Sequence, residues 1–232
     1  MERNTAKRTL EKLLSVCICL CMLGAMLPAQ VFAEEADTAQ TETVQDTAPK
    51  DTVYLSSADD LIQLAKNCRL DSWSQNRTVV LEADIDLSSV DFNGIPSFGG
   101  TWEGQNHAIT GLSLSQDGSV QGLFRYVQQG ALVRDMTVKG RIKPGGIAGS
   151  NAGTIENCAF DGVVSGTSQI GGIAGVNTVK GSINDCTVSG TVYGSHFVGG
   201  VVGQNDGVAA NCTNAASVNT TVSQHEVKLN DL

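Results

Sequence analysis

Positive charge is in short supply in this sequence. Its 232 residues carry 15 Lys and Arg against 24 Asp and Glu, a net charge of −9. Residues 1–33 hold 4 of the basic and 2 of the acidic residues, so the remainder carries 11 and 22, a net of −11. Phosphate contacts rely on Lys and Arg, so nucleic acid and anionic lipid are poor partners for such a chain. The acidic balance fits a soluble exported protein. No C-x-x-C pair and no Cys/His set at zinc spacing occurs, which argues against a metal knot, and no cofactor is expected. The three histidines, His107, His196 and His225, are scattered. A Ser-His-Asp set, a G-x-S-x-G elbow, a P-loop and the calcium nonapeptide G-G-x-G-x-D are all missing.

The N-terminus carries an address. Arg3, Lys7, Arg8 and Lys12 precede an uncharged run from Leu13 to Leu27, Pro28 follows, and Val31-Phe32-Ala33 puts a small residue last. That order marks residues 1–33 as a signal peptide cleaved after Ala33. The run has 15 residues, short of the roughly 20 that cross a bilayer. An uncleaved anchor is the competing reading, and no membrane span is expected in the mature chain. The expected location is secreted or at the cell surface. Residues 34–50 are acidic and hold one large aliphatic residue, Val44. They cannot bury enough apolar surface to offset their ordering entropy, and read as a disordered leader.

Residues 51–100 read as an N-terminal cap. Val53-Tyr54-Leu55 resembles a strand, and Ser56 or Ser57 can cap a helix with Asp59 and Asp60 in its first turn. Leu61, Leu64, Ala65 and Cys68 then recur at helical spacing. Residues 77–87 read as one strand. Phe92, Ile95, Phe98 and Trp102 follow among glycines.

Beyond residue 100 the sequence repeats. Gly146-Ile147-Ala148-Gly149-Ser150-Asn151 is echoed by Gly172-Ile173-Ala174-Gly175-Val176-Asn177 and by Gly200-Val201-Val202-Gly203-Gln204-Asn205. A weaker copy opens at Gly122, and the steps between these glycines are 24, 26 and 28 residues. A second block keeps the same time. Val133-Arg134-Asp135-Met136 matches Ile155-Glu156-Asn157-Cys158, Ile183-Asn184-Asp185-Cys186 and Ala209-Ala210-Asn211-Cys212. A unit this short, rich in Val, Ile, Thr and Gly, does not make two helices. Three short strands joined by tight turns would use it up, which is one coil of a right-handed parallel β-helix. The predicted fold is all-β, with repeats over 101–218, a short capping helix before them and an irregular tail over 219–232.

Stacking coils would put like over like. Asn151, Asn177 and Asn205 share one repeat place and would form a hydrogen-bonded ladder, the alternative being three surface asparagines in unrelated loops. Met136, Cys158, Cys186 and Cys212 share another. A place that accepts Met and Cys alike asks for a soft apolar group, and predicts an inward column of free thiols. The competing reading is a disulfide, which an exported address permits but which parallel stacked side chains fit poorly.

The residues also resemble a known family. Gly100-Thr101-Trp102-Glu103-Gly104-Gln105-Asn106-His107-Ala108-Ile109-Thr110-Gly111-Leu112 is similar to the lead-in of bacterial GLUG-repeat proteins. The G-G-I-A-G-x-N and I-x-N-C units resemble the repeats themselves, and Tyr54 to Leu61 resembles what precedes them. The resemblance covers about residues 53–218. It implies a right-handed β-helix on exported or surface proteins, including adhesin-like proteins and N-terminal regions of bacterial immunoglobulin A1 metallopeptidases. His225-Glu226-Val227-Lys228-Leu229 begins like a zinc-peptidase H-E-x-x-H, but Leu229 stands where the second His belongs.

Some β-helices cleave polysaccharides, so paired carboxylates matter. Asp135 and Asp185 share a repeat place with Asn157 and Asn211, which reads as a structural turn. Asp84 and Asp86 form another close pair, read as solvated. Tyr126, Tyr193 and Phe197 are the candidate aromatics for a sugar platform, and they are out of register. Three outcomes remain. The first is a non-catalytic, adhesin-like binding or scaffold module whose partner is a host or bacterial surface protein or glycan. The others are a carbohydrate-active lyase or hydrolase, and a fragment of a larger surface peptidase.

Overall fold

A computed structural model describes residues 51–115 and 120–219. The expected signal peptide with its cleavage site at Ala33, the expected leader, His225 and nearly all of the expected tail lie outside the described residues. Within them the architecture is a parallel β-solenoid with one short helix.

The chain opens with β1 (Thr52–Leu55) and then α1 (Ala58–Asn67). The N-cap of α1 is Ser57, whose Oγ accepts from the Asp60 N–H at 3.3 Å and donates to Asp60 Oδ2 at 2.7 Å. Asp60 Oδ2 also accepts from the Ser56 N–H at 3.1 Å. This closed pair satisfies donors that the first helical turn leaves open. It holds the Asp60 carboxyl below its ordinary pKa, first through Ser57 and then through the Ser56 backbone. Leu61, Leu64 and Cys68 fall on one face and are buried against the first coil.

Next come β2 (Thr78–Leu81) and β3 (Ile85–Asp86). The single strand expected over 77–87 is thus two, because the chain turns a corner at residues 82–84 to follow the coil. The strands β4 (Ile95–Phe98), β5 (Thr101–Glu103) and β6 (Ala108–Ser113) complete the coil that carries the lead-in motif. Then follow β7 (Phe124–Val127), β8 (Leu132–Ile142), β9 (Ala148–Asn151), β10 (Thr154–Gly171) and β11 (Ala174–Asn177). The last coils hold β12 (Ser182–Asn184), β13 (Thr187–Gly199), β14 (Val202–Asn205), β15 (Val208–Ala210), β16 (Thr213–Asn214) and β17 (Ser217–Val218).

Every strand pairing is parallel. One sheet runs β1-β2-β5-β8-β10-β12-β15 and the other β4-β7-β9-β11-β14. The register stacks equivalent residues. Val79, Trp102, Val133, Ile155 and Ile183 form one file, and each is fully buried. Ile109, Val138, Phe160 and Val188 form a second. Alternation along each short strand sends the neighbours outward. The early coils are filled by aromatic rings. Phe98 and Trp102 meet edge to face at 5.9 Å, and Trp102 meets Phe124 at 5.1 Å and 88°. Trp102 Nε1 is buried with no hydrogen-bond partner, the one such side-chain atom among the described residues.

Close stacking also dictates a glycine file, Gly140, Gly162 and Gly190. A Cβ on Gly162 would fall 2.0 Å from the Gly140 carbonyl oxygen, and one on Gly190 equally close to that of Gly162. A side chain at these places would drive the coils apart.

Candidate functional site

The repeat places that the sequence singled out lie along the solenoid as files. Asn151, Asn177 and Asn205 are register partners at the ends of β9, β11 and β14. Asn151 Nδ2 donates to Asn177 Oδ1 at 2.9 Å, and Asn177 Nδ2 donates to Asn205 Oδ1 at 2.8 Å. The Asn151 and Asn177 amides also bond the backbone of their own or the following coil. Asn151 Oδ1 accepts from the Gly153 N–H at 3.1 Å, and Asn177 Nδ2 donates to the Val208 carbonyl at 3.0 Å. Asn151 and Asn177 are wholly buried, and Asn205 is exposed. The Asn151 and Asn177 amides therefore hold coil to coil from within, out of reach of a ligand.

Met136, Cys158, Cys186 and Cys212 lie just inside the adjoining corner. All are free thiols except the methionine. Each cysteine donates back to the carbonyl two residues earlier, Cys158 to Glu156 at 3.2 Å, Cys186 to Asn184 at 3.1 Å and Cys212 to Ala210 at 3.2 Å. Contact with Cys186 and burial together push the Cys158 thiol well above its ordinary pKa. Burial also raises Cys212, and pushes Cys68 up to about 11. Buried and held protonated, Cys158 and Cys68 are poor nucleophiles. The corner itself is made by Asp135, Asn157, Asp185 and Asn211, with φ of 57°, 50°, 53° and 55°. Asp and Asn tolerate this left-handed conformation better than other residues with a side chain, which explains their alternation at one place. Asn157 Nδ2 donates to Asp135 Oδ1 one coil away.

The Asp84 and Asp86 carboxylates are committed to the backbone and to neighbouring side chains. Asp84 Oδ1 accepts from the Ala108 N–H at 2.9 Å and lies 3.0 Å from His107 Nδ1. Asp86 accepts from the Ser88 N–H and hydroxyl, both at 2.9 Å. Both acids are held below the ordinary range, Asp84 first by Ala108 and then by His107, Asp86 first by the Ser88 N–H. A general acid needs the opposite shift. Tyr126 projects from β7 in one sheet, while Tyr193 and Phe197 project from β13 in the other, so the three do not form one platform. Their register partners are not aromatic: Ser97 and Ser150 flank Tyr126, and Ser165 pairs with Tyr193.

Two features escaped the sequence. Glu103, Arg134 and Glu156 stack on the outer face of β5, β8 and β10. Arg134 grips Glu103 with both fork arms, at 2.7 and 2.9 Å, and reaches Glu156 at 3.8 Å. The second is a cleft of about 260 Å³ lined by Lys66, Arg69, Asp91, Phe92, Pro96 and Arg125, among others. It joins the end of α1, the loop into β4, and β7. Nothing in the spacing of these residues announces it, since they come from three separate stretches. Among the described residues, no group of three or more His, Cys, Asp or Glu is placed to hold a metal ion.

Residues 166–193, which run from the end of β10 through β11 and β12 into β13, match the model of the GLUG motif. The chain therefore carries a GLUG motif over these residues. The matched stretch contains Asn177 and Cys186 of the files described above. The chain is similar to halomucin from Haloquadratum walsbyi, at 29% identity over 126 residues. That match takes in 45% of this chain and 1% of halomucin. It is also similar in fold to a crystal structure from Bacteroides ovatus whose assignment as an immunoglobulin A1 protease is itself provisional. The TM-score is 0.51 at 20% identity, covering 71% of this chain and 66% of the other. At that identity the likeness concerns the fold alone.

Proposed function

We propose that the chain is a non-catalytic binding module of an exported surface protein, using the outer faces of its solenoid to hold a glycan or a surface protein. The observation that carries this reading is where the polar groups of the repeats go. The Asn151 and Asn177 amides, the Cys158, Cys186 and Cys212 thiols, Asp135 and the Asp84 and Asp86 carboxylates are each spent on the backbone or on a neighbouring coil. What remains for a partner is the outward surface, where Tyr126, Tyr193 and Phe197 are exposed. The similarity to halomucin supports an extracellular setting. No helix among the described residues is long and apolar enough to cross a membrane. A second reading, a module within a much longer surface protein, draws support from the match to 1% of halomucin.

The test is to immobilise a mucin-type glycoprotein and a panel of acidic and neutral polysaccharides, and to pass the full chain over them. Reversible, saturable binding without product is expected. Release of reducing ends or of unsaturated sugars would overturn the non-catalytic assignment.

A further inference from the structure

The cleft beside α1 deepens that reading. In a chain of net charge −9, Lys66, Arg69 and Arg125 gather around one opening, with Asp91 as the single acid in its lining. Among the described residues none of the three cations forms an ion pair. Like charges brought together without partners repel, so packing alone does not account for them. Lys66 lies in the last turn of α1, where the helix dipole favours a cation. Arg69, just past the Cys68 C-cap, shares that field, but Arg125 on β7 has no such reason to be there. Arg125 Nε donates to the Val120 carbonyl at 3.3 Å, which orients the guanidinium at the cleft wall.

We propose that this cleft binds a carboxylated sugar ring of the uronate type, with Arg69 and Arg125 on the carboxylate and Asp91 on a ring hydroxyl. Three features select this chemistry. The cations require an anion, and Arg is suited to a carboxylate fork. Asp91 repels a bare anion, so a ligand tolerated beside it must also bring a hydroxyl donor. Phe92, Pro96 and Ile62 supply an apolar strip for the C–H face of a ring. The volume of about 260 Å³ suits one ring, with the rest of a glycan left outside. Inorganic sulfate has neither hydroxyl donors nor an apolar face. An acidic peptide lacks the hydroxyls. It is also offered no clear strand edge to pair with, since α1 lies against β4, the outermost strand of its sheet.

The experiment titrates the full chain with glucuronate, glucose, sulfate and a Glu-rich peptide at physiological salt, following backbone amide NMR shifts. Saturable glucuronate binding is expected, with shifts centred on residues 62–69, 91–96 and 125, and with glucose silent at the same concentration. Arg69→Gln and Arg125→Gln should each weaken it at least roughly fivefold, the loss expected for one charge-assisted pair, at an unchanged melting temperature. Arg69→Lys should restore part of the affinity, and Asp91→Asn should weaken glucuronate while strengthening sulfate. Equal binding of sulfate and glucuronate would mean an adventitious ion only and would overturn the proposal, as would preference for the peptide or indifference to both arginine variants. If glucuronate fails while the glycoprotein surface still captures the chain, the cleft assignment falls and the wider binding reading stands.

Discussion

At the place where Phe98 and Val127 stack in the early coils, the later coils carry Asn151, Asn177 and Asn205. The neighbouring file changes in parallel, from Ile95 and Phe124 to Ala148 and Ala174. The early coils are held by large rings in edge contact, which gain from burial and tolerate small shifts. The later coils have smaller side chains there and rely on directed hydrogen bonds between amides. The first arrangement is strong but unspecific about register, and the second is weaker per residue but strict. The two also end differently. The early end is covered by α1, whereas the last described coil leaves Val208, Ala209 and Asn205 exposed.

Predictions follow from that contrast, beginning with the aromatic block. Trp102→Ala removes the centre of the Phe98–Trp102–Phe124 cluster, and should cost about 3–5 kcal/mol in denaturant unfolding. A loss under about 1 kcal/mol would deny the early coils their anchoring role. Asn177→Ala comes next. It removes the acceptor of the buried Asn151 amide and the donor to the Val208 carbonyl, at a cost of about 1–3 kcal/mol. Asn205→Ala, at the exposed end of the same file, should cost about 1 kcal/mol or less. Equal costs for the two would show that burial is not what gives the file its strength.

Acid should act on the early coils first. The carboxyls held below their ordinary range, Asp60, Asp84 and Asp86, all lie before residue 100. A carboxyl depressed in the folded state stabilises fully above its unfolded value of about 3.9, and the benefit is lost as pH falls through the lower folded value. Hydrogen exchange at pH 6 and pH 3 should therefore show protection falling around residues 56–60 and 84–88 while 148–205 holds. The smallest effect concerns the thiols and leaves stability untouched. Cys212, half-buried, should react with a thiol reagent roughly tenfold faster than Cys68, which burial keeps protonated. Rapid reaction at Cys68 would show that the cap opens readily.

The solenoid itself was legible in the sequence because a coil must repeat whatever its stacking requires. Steps of 24 to 28 residues between Gly122, Gly146, Gly172 and Gly200 carry the coil length, and the GLUG-type units carry the parallel pairing. Before residue 101 the same pairing continues through β1 and β2 without a repeated motif to announce it, since Val53, Val79 and Trp102 share only their apolar character. Residues 77–87 alternate as one strand would, and only the coil's path reveals the corner within them. The Arg134 fork on Glu103 was hidden because its acid lies in the lead-in and its base in the first regular unit. The cationic cleft was hidden for a related reason. Arg69 and Arg125 are 56 positions apart and meet only through the docking of α1.

The amide file also has a consequence for how such a chain can vary. Successive asparagines are separated by 26 and then 28 residues, yet each finds the next. A slip of one residue would set Asn151 against Val176 or Thr178 and leave a buried carboxamide with nothing to bond. The file therefore acts as a tooth that fixes each winding on the one before it, so that loops outside the teeth are free to lengthen or shorten while the thread keeps its pitch.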